Sequence, residues 1–303
     1  MNKIHTIATA LVLGPLLGLD PSQVAQAQGD EELVEVLVHD RARGELSEGT
    51  GAPSEDQLIR AINGASTEGL IASLEYGEHV ECHRCVPLVE RNLLESEDPE
   101  VRRISAWWLR HRLFAIAQIF HRMEDVLASD GDPIRRARAA RAIGEFMLPA
   151  GLAPLRAAFG AEGDAGVREA IVRGLERLNH VGANATLATA LADEEAAVRR
   201  AAIFAVNRVN FFRDTDALVG ALADGDALVR TEAARLVGQF RADGAEMALA
   251  GMLRSDSSRD ARQAAAIALG QLGTSAARTA LLEARDTEGE SLVLDAIDVA
   301  LRF

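Results

Sequence analysis

Asp226-Ala227-Leu228-Val229-Arg230-Thr231-Glu232-Ala233-Ala234-Arg235-Leu236-Val237 is the stretch whose reading decides the fold. Val229, Ala233, Leu236 and Val237 follow one another at spacings of 4, 3 and 1, the stripe of a helix that buries one side. Asp226 suits the start of that helix, because its carboxylate can accept from free amides of the first turn and its charge favours the dipole there. The same acid, apolar residue and arginine recur at Asp98 to Arg102, Asp132 to Arg135, Asp164 to Arg168, Glu195 to Arg199 and Ser258 to Arg262. These arginines are 33, 33, 31, 31 and 32 residues apart, so the chain is a tandem repeat. One further step reaches Asp295 in a divergent last copy, and one step back reaches Gly69 in a divergent first copy.

Each unit reads as two helices. The first is short, as in Leu152 to Phe159 or Leu218 to Ala223, and the second begins at the acidic turn. Gly238 and Gly270 read as the points where second helices stop. The marker arginine stands three or four residues after an Asp, Glu or Ser, within reach of a pair on the same helix and of the acid in a stacked neighbour. A ladder of acid and arginine along the stack is the expectation. No single helix pair buries its apolar side alone, so stability comes from stacking, with atypical copies at the ends. Aromatics are 4% against 48% hydrophobic residues, so the core is Ala, Leu, Val and Ile, which fits closely packed helices better than sheets.

The tandem Asp-x-x-Val-Arg-x-x-Ala-Ala pattern resembles the HEAT-repeat family, including the short HEAT-like repeats also seen in phycobilisome lyases, over residues 55–303. The resemblance implies an all-α solenoid of about eight antiparallel helix pairs, a right-handed superhelix that serves as a scaffold or protein-binding surface, with second helices lining its inner side. The lyase branch implies less, because no pigment site is evident and the chain reads as exported.

Export is read from residues 1–27. Lys3 is followed by an apolar run from Ile7 to Leu19 and by Ala25-Gln26-Ala27, the parts of a secretory signal with cleavage expected before Gln28. The run is too short to span a bilayer of about 30 Å as a helix. The expected location is therefore periplasmic or secreted, with no membrane insertion after cleavage. Residues 28–54 form an acidic extension and linker that fits no repeat; Glu32 to Val38 reads equally as a short helix or an added strand.

Cys82 and Cys85, the only cysteines, stand in His79-Val80-Glu81-Cys82-His83-Arg84-Cys85-Val86-Pro87. In an oxidising compartment a disulfide is the default. A redox pair near a helix start is a second reading, and a zinc or copper site from His79, Cys82, His83 and Cys85 a third. Covalent haem attachment needs His after the second Cys, where Val86 stands. No motif of a catalytic site appears elsewhere, so the chain is expected to be non-catalytic, with neither cofactor nor metal.

The formal charge is -14, which argues against nucleic acid and anionic membrane as main partners. Its distribution is uneven: residues 28–100 carry -13, whereas residues 101–141 carry +5. Arg102, Arg103, Arg110, Arg112, Arg135, Arg136, Arg138 and Arg141 concentrate on two consecutive second helices. On the inner side of a solenoid they would form a groove for a protein or peptide partner, acidic in character, or for an anionic glycan. The alternative is that they pair with the acidic N-terminal region or with their own neighbours. Trp108 falls in a core column, while Trp107 beside it is a candidate anchor for a partner. Phe211 and Phe212 form a weaker candidate patch. The expected function is thus an exported, non-catalytic scaffold; the alternative is a thiol- or metal-handling accessory protein using Cys82-His83-Arg84-Cys85.

Overall fold

The computed structural model describes residues 53–302. The expected leader, residues 1–27, and the acidic extension up to residue 52 lie outside the described residues. The described residues fall into two compact units that divide after Val89. Among the described residues there are sixteen α-helices and no strand, an all-α solenoid of eight helix pairs.

The first unit holds α1 (Glu55–Gly64), α2 (Thr67–Tyr76) and the start of α3 (Val86–Glu95). Ser54 and Gln57 close a capping box at α1, each side chain accepting from the other's backbone amide. Leu58 and Leu74 are fully buried, as are Cys82 and Cys85 in the turn before α3.

The second unit continues with α4 (Pro99–Arg110), α5 (Ile116–Ser129), α6 (Pro133–Glu145), α7 (Leu152–Ala161) and α8 (Ala165–Leu178). It is completed by α9 (Asn184–Ala190), α10 (Ala196–Arg208), α11 (Thr215–Ala221), α12 (Ala227–Phe240), α13 (Glu246–Ser255), α14 (Arg259–Leu272), α15 (Ser275–Arg285) and α16 (Ser291–Ala300). The even-numbered second helices open as the sequence implied. Asp98, Asp132, Asp164, Asp226 and Ser258 each accept a first-turn amide, whereas the longer Glu195 makes no such cap. Val167, Val198, Val229 and Ala261 are fully buried at the head of the apolar stripe, and Ala233, Leu236 and Val237 continue it in α12.

The arginine ladder is present, with its register corrected in one copy. Five arginines, Arg136, Arg168, Arg199, Arg230 and Arg262, grip a carboxylate of the next copy through Nε and Nη2: Glu162, Asp193, Asp224, Asp256 and Glu288 respectively. Each also donates from Nη1 to a carbonyl six residues back, tying down the turn of its own copy. The marker of the third copy is therefore Arg136, four residues after its cap Asp132, and Arg135 occupies the column that valine, or in one copy alanine, fills elsewhere.

The glycine reading is corrected too. Helices α12 and α14 run past Gly238 and Gly270 and end at Arg241 and Gly273, both in the left-handed region. The internal glycines serve helix contact instead. A Cβ on Gly144 would lie 2.5 Å from the Gly174 Cα, so α6 and α8 cross backbone to backbone. Within this unit the second helices pack on one another far more extensively than the first helices do, and so form the closely spaced inner side. Two steps are exceptions, α4 against α6 near its start and α10 against α12 further along, which touch sparingly. In the columns of Gly174 and Gly144, counted from the ladder arginine, α4 carries Trp108, which is fully buried, and Arg110 in place of glycine.

Candidate functional site

The sparing contact between α4 and α6 leaves an open groove of about 220 Å³ on the second helices. Its walls carry six guanidinium groups: Arg102 and Arg103 from α4, Arg138 and Arg141 from α6, and Arg173 and Arg177 from α8. Leu93, Pro99, Ala106 and Ala142 supply an apolar floor, and Glu100 and Glu145 are the acids of the lining.

Most of these cations have a carboxylate at hand. Arg103 donates to Glu100 at 2.8 Å, Arg177 to Glu145 at 2.9 Å, and Arg138 to Glu97 at 2.8 Å and to the Leu94 carbonyl at 2.7 Å. Glu97 is held below the usual carboxylate range by that hydrogen bond and by the Arg138 charge, although its side chain is 90% exposed. Arg141 and Arg173 stand 3.9 Å and 3.6 Å from the shared Glu169. Arg102 differs. Its Nη1 donates to the Ser96 carbonyl at 2.6 Å, and among the described residues no carboxylate comes within salt-bridge distance. Burial, then the neighbouring charges of Arg138 and Arg141, push its pKa below the ordinary arginine value, whereas the five paired ladder arginines are all raised, chiefly by the hydrogen bond to their acid.

The groove thus brings together Arg102, Arg103, Arg138 and Arg141 of the residues expected from sequence. Arg112 does not belong to it: the side chain is 3% exposed and its guanidinium lies 3.7 Å from the centre of the Trp108 ring, a packing role in the core. Arg135 is occupied with Asp130 at 2.8 Å, and Arg136 is a ladder residue bound to Glu162. Arg110 reaches the Met147 sulfur at 3.1 Å outside the lining, and the half-buried Trp107 packs edge-on against His111 rather than into the groove. Phe212 is core, at 1% exposure, and Phe211 remains exposed. Sequence reading missed Arg173 and Arg177, because a charge count along the chain dilutes them with Glu169 and Glu176 of the same helix. Their spacing of four, one turn of α8, was the available signal.

At the other candidate, Cys82 and Cys85 are fully buried with Cα atoms 5.2 Å apart and sulfurs at 2.07 Å, while His79 and His83 point outward. Among the described residues no group of three or more His, Cys, Asp or Glu is placed to hold a metal ion.

Comparison with known proteins gives three findings. Bilin biosynthesis protein PecE of Mastigocladus laminosus is 38% identical over 87 residues, covering 27% of this chain and 32% of PecE, so the chain spans about a third of that relative. The structure of YibA of Escherichia coli is 19% identical, covers 88% of this chain and 96% of its own, and superposes with a TM-score of 0.56, showing the same fold. The complex of CpcE and CpcF of phycocyanin lyase from Nostoc sp. PCC7120 covers 72% of this chain and 93% of its own at 21% identity, with a TM-score of 0.37 that bears no argument. The expectation of a non-catalytic chain is corrected by PecE: a relative named for bilin biosynthesis means that the lack of a familiar catalytic motif is no ground for excluding activity. Models of HEAT repeats match residues 86–175, 120–207 and 215–302, more than half of the sequence, and the chain belongs to the HEAT-repeat family.

Proposed function

We propose that this chain is an exported HEAT-repeat scaffold that binds a protein or peptide partner bearing acidic side chains through the groove on α4, α6 and α8. The observation that carries the reading is six guanidinium groups around one open groove in a chain of net charge -14. Such a local inversion of sign steers an acidic partner and repels the bulk of other acidic surfaces. The apolar floor adds area that a partner's side chains cover. Export rests on the leader pattern of residues 1–27, and with it goes an oxidised Cys82–Cys85 bridge that fixes the turn before α3. Among the described residues no helix is long and apolar enough to cross a membrane.

Affinity capture from the exported fraction, comparing the natural chain with Arg103→Glu/Arg177→Glu, tests the binding reading. Specific proteins captured by the natural chain and lost with the variant support it. Equal capture by both overturns it. Detection of the full-length, uncleaved chain in the cytoplasmic fraction overturns export.

PecE favours a second reading, that the chain itself handles a bilin. A bilin titrated into the purified protein and followed by visible absorption tests it; an unchanged spectrum at molar excess removes it.

A further inference from the structure

The groove has a built-in reason to want one carboxylate in one place. In the five regular rungs the acid two residues before the cap of the next copy receives Nε and Nη2 of the ladder arginine. For Arg102 the corresponding acid is Asp130, two residues before the cap Asp132, and its Oδ1 accepts the Asp132 amide as its counterparts do. Asp130 nevertheless pairs with Arg135, at 2.8 Å from Nε. Arg135 is there because the third copy carries arginine in the valine column. It cannot enter the core and turns instead to the nearest acid. At the same point α4 and α6 touch sparingly, so the arginine that lost its acid lines an open groove.

We propose that Arg102 is an open rung of the ladder, filled in the working protein by an Asp or Glu side chain of a bound acidic peptide, with Arg138 and Arg141 flanking the same carboxylate. This rests on the binding reading above and deepens it by naming the recognised group. The incoming carboxylate meets Arg102 from the groove and accepts from its Nε and Nη2 side by side, as Asp193, Asp224 and Asp256 do from their own arginines, the geometry that suits a planar guanidinium. The three neighbouring cations repel one another in the free protein, and burial of Arg102 adds to the cost of its charge. An anion at their centre relieves both. Glu97 does not serve, since it extends into solvent on Arg138. Inorganic anions share the charge but cannot use the apolar floor of Leu93, Pro99 and Ala142.

Isothermal titration calorimetry of the full chain with a hexa-aspartate peptide, against a hexa-asparagine control, tests the assignment. The natural chain is expected to bind the aspartate peptide alone. Arg102→Gln is expected to weaken binding about tenfold or more, the scale of charge-assisted hydrogen bonds lost. Arg102→Lys, which keeps the charge and loses the fork, falls between the two. Arg135→Val restores the regular column and frees Asp130 to fill the rung from within, so it is also expected to weaken binding while the melting temperature stays the same or rises. If Arg102→Gln or Arg135→Val binds within twofold of the natural chain while Arg103→Glu/Arg177→Glu binds poorly, the open rung is wrong and the groove stands. If the natural chain does not bind the aspartate peptide, or no variant alters its affinity, both fall. Equal competition by phosphate and by the peptide at the same charge concentration overturns the preference for a peptide carboxylate.

Discussion

Replacing Arg230 by Met removes the guanidinium from a rung while keeping most of the side chain's length and apolar stem. Arg230 spends its donors on Asp256 at 2.7 and 2.8 Å and on the carbonyls of Asp224 and Gly225 at 2.7 and 3.2 Å. The Asp256 side chain is 6% exposed, so water does not take over its solvation. It keeps the Ser258 amide at 2.8 Å and little else. Removing one partner of a buried pair costs about 3–5 kcal/mol, and the retained amide places this case near the lower end, at about 3 kcal/mol. For a chain of this size that corresponds to a fall in melting temperature of roughly 6–12 °C. Thermal unfolding followed by far-ultraviolet circular dichroism measures it. The double variant Arg230→Met/Asp256→Leu removes the stranded charge and is expected to recover most of the loss. A single-variant loss below about 1 kcal/mol, or a double variant no better than the single, refutes a load carried by the rungs.

Three further outcomes follow from the same geometry. Glu162 and Asp256 are held below their usual carboxylate values first by the arginine hydrogen bond; at Asp193 and Asp224 burial pushes upward but the arginine and backbone bonds outweigh it. A carboxyl group with a lower pKa folded than unfolded stabilises above its unfolded value near 4 and loses that stability as pH falls through the folded value, so melting temperature is expected to drop steeply below about pH 4. A melting temperature flat from pH 6 to about pH 3 would contradict this. Gly144→Ala places a methyl group against the Gly174 backbone, which has no side chain to move aside, and is expected to cost about 1–3 kcal/mol in urea unfolding; a neutral effect would mean the crossing is looser. Arg241 sits at φ 50°, where a side chain is strained, so Arg241→Gly is expected to stabilise by about 0.5–1 kcal/mol, read as a higher urea midpoint; a lower midpoint would show that the arginine's contacts outweigh the strain.

The repeat was legible because a capping residue, a buried small apolar residue and an arginine are three requirements of one helix start, and most copies state them within five residues. The ladder was legible for the same reason: an arginine one turn after a cap reaches the next turn of the stack. Less legible was the choice between Arg135 and Arg136, since Asp132-Pro133-Ile134-Arg135 satisfies the apolar-then-arginine pattern one residue early, and only the three-dimensional pairing with Glu162 settles it. Gly238 and Gly270 were misread because a glycine near a helix end has two uses, and whether it faces a turn or Ala268 and Ala300 of the next helix depends on packing. The groove was half visible. Its α4 and α6 arginines stood out as net charge, whereas Arg112 was swept in by charge alone and Arg173 and Arg177 were hidden by adjacent glutamates. Burial and pairing separate a cation that packs on Trp108 from one that awaits an anion, and neither can be counted along a sequence.

The most direct test of the ladder and its open rung is hydrogen exchange at the arginine Nε–H groups, resolved by nuclear magnetic resonance with and without hexa-aspartate. Arg136, Arg168, Arg199, Arg230 and Arg262 are expected to exchange slowly in both states, and Arg102 to exchange fast in the free protein and slowly once the peptide is bound. An Arg102 already protected like the other five, or one that stays fast with the peptide in place, would contradict it.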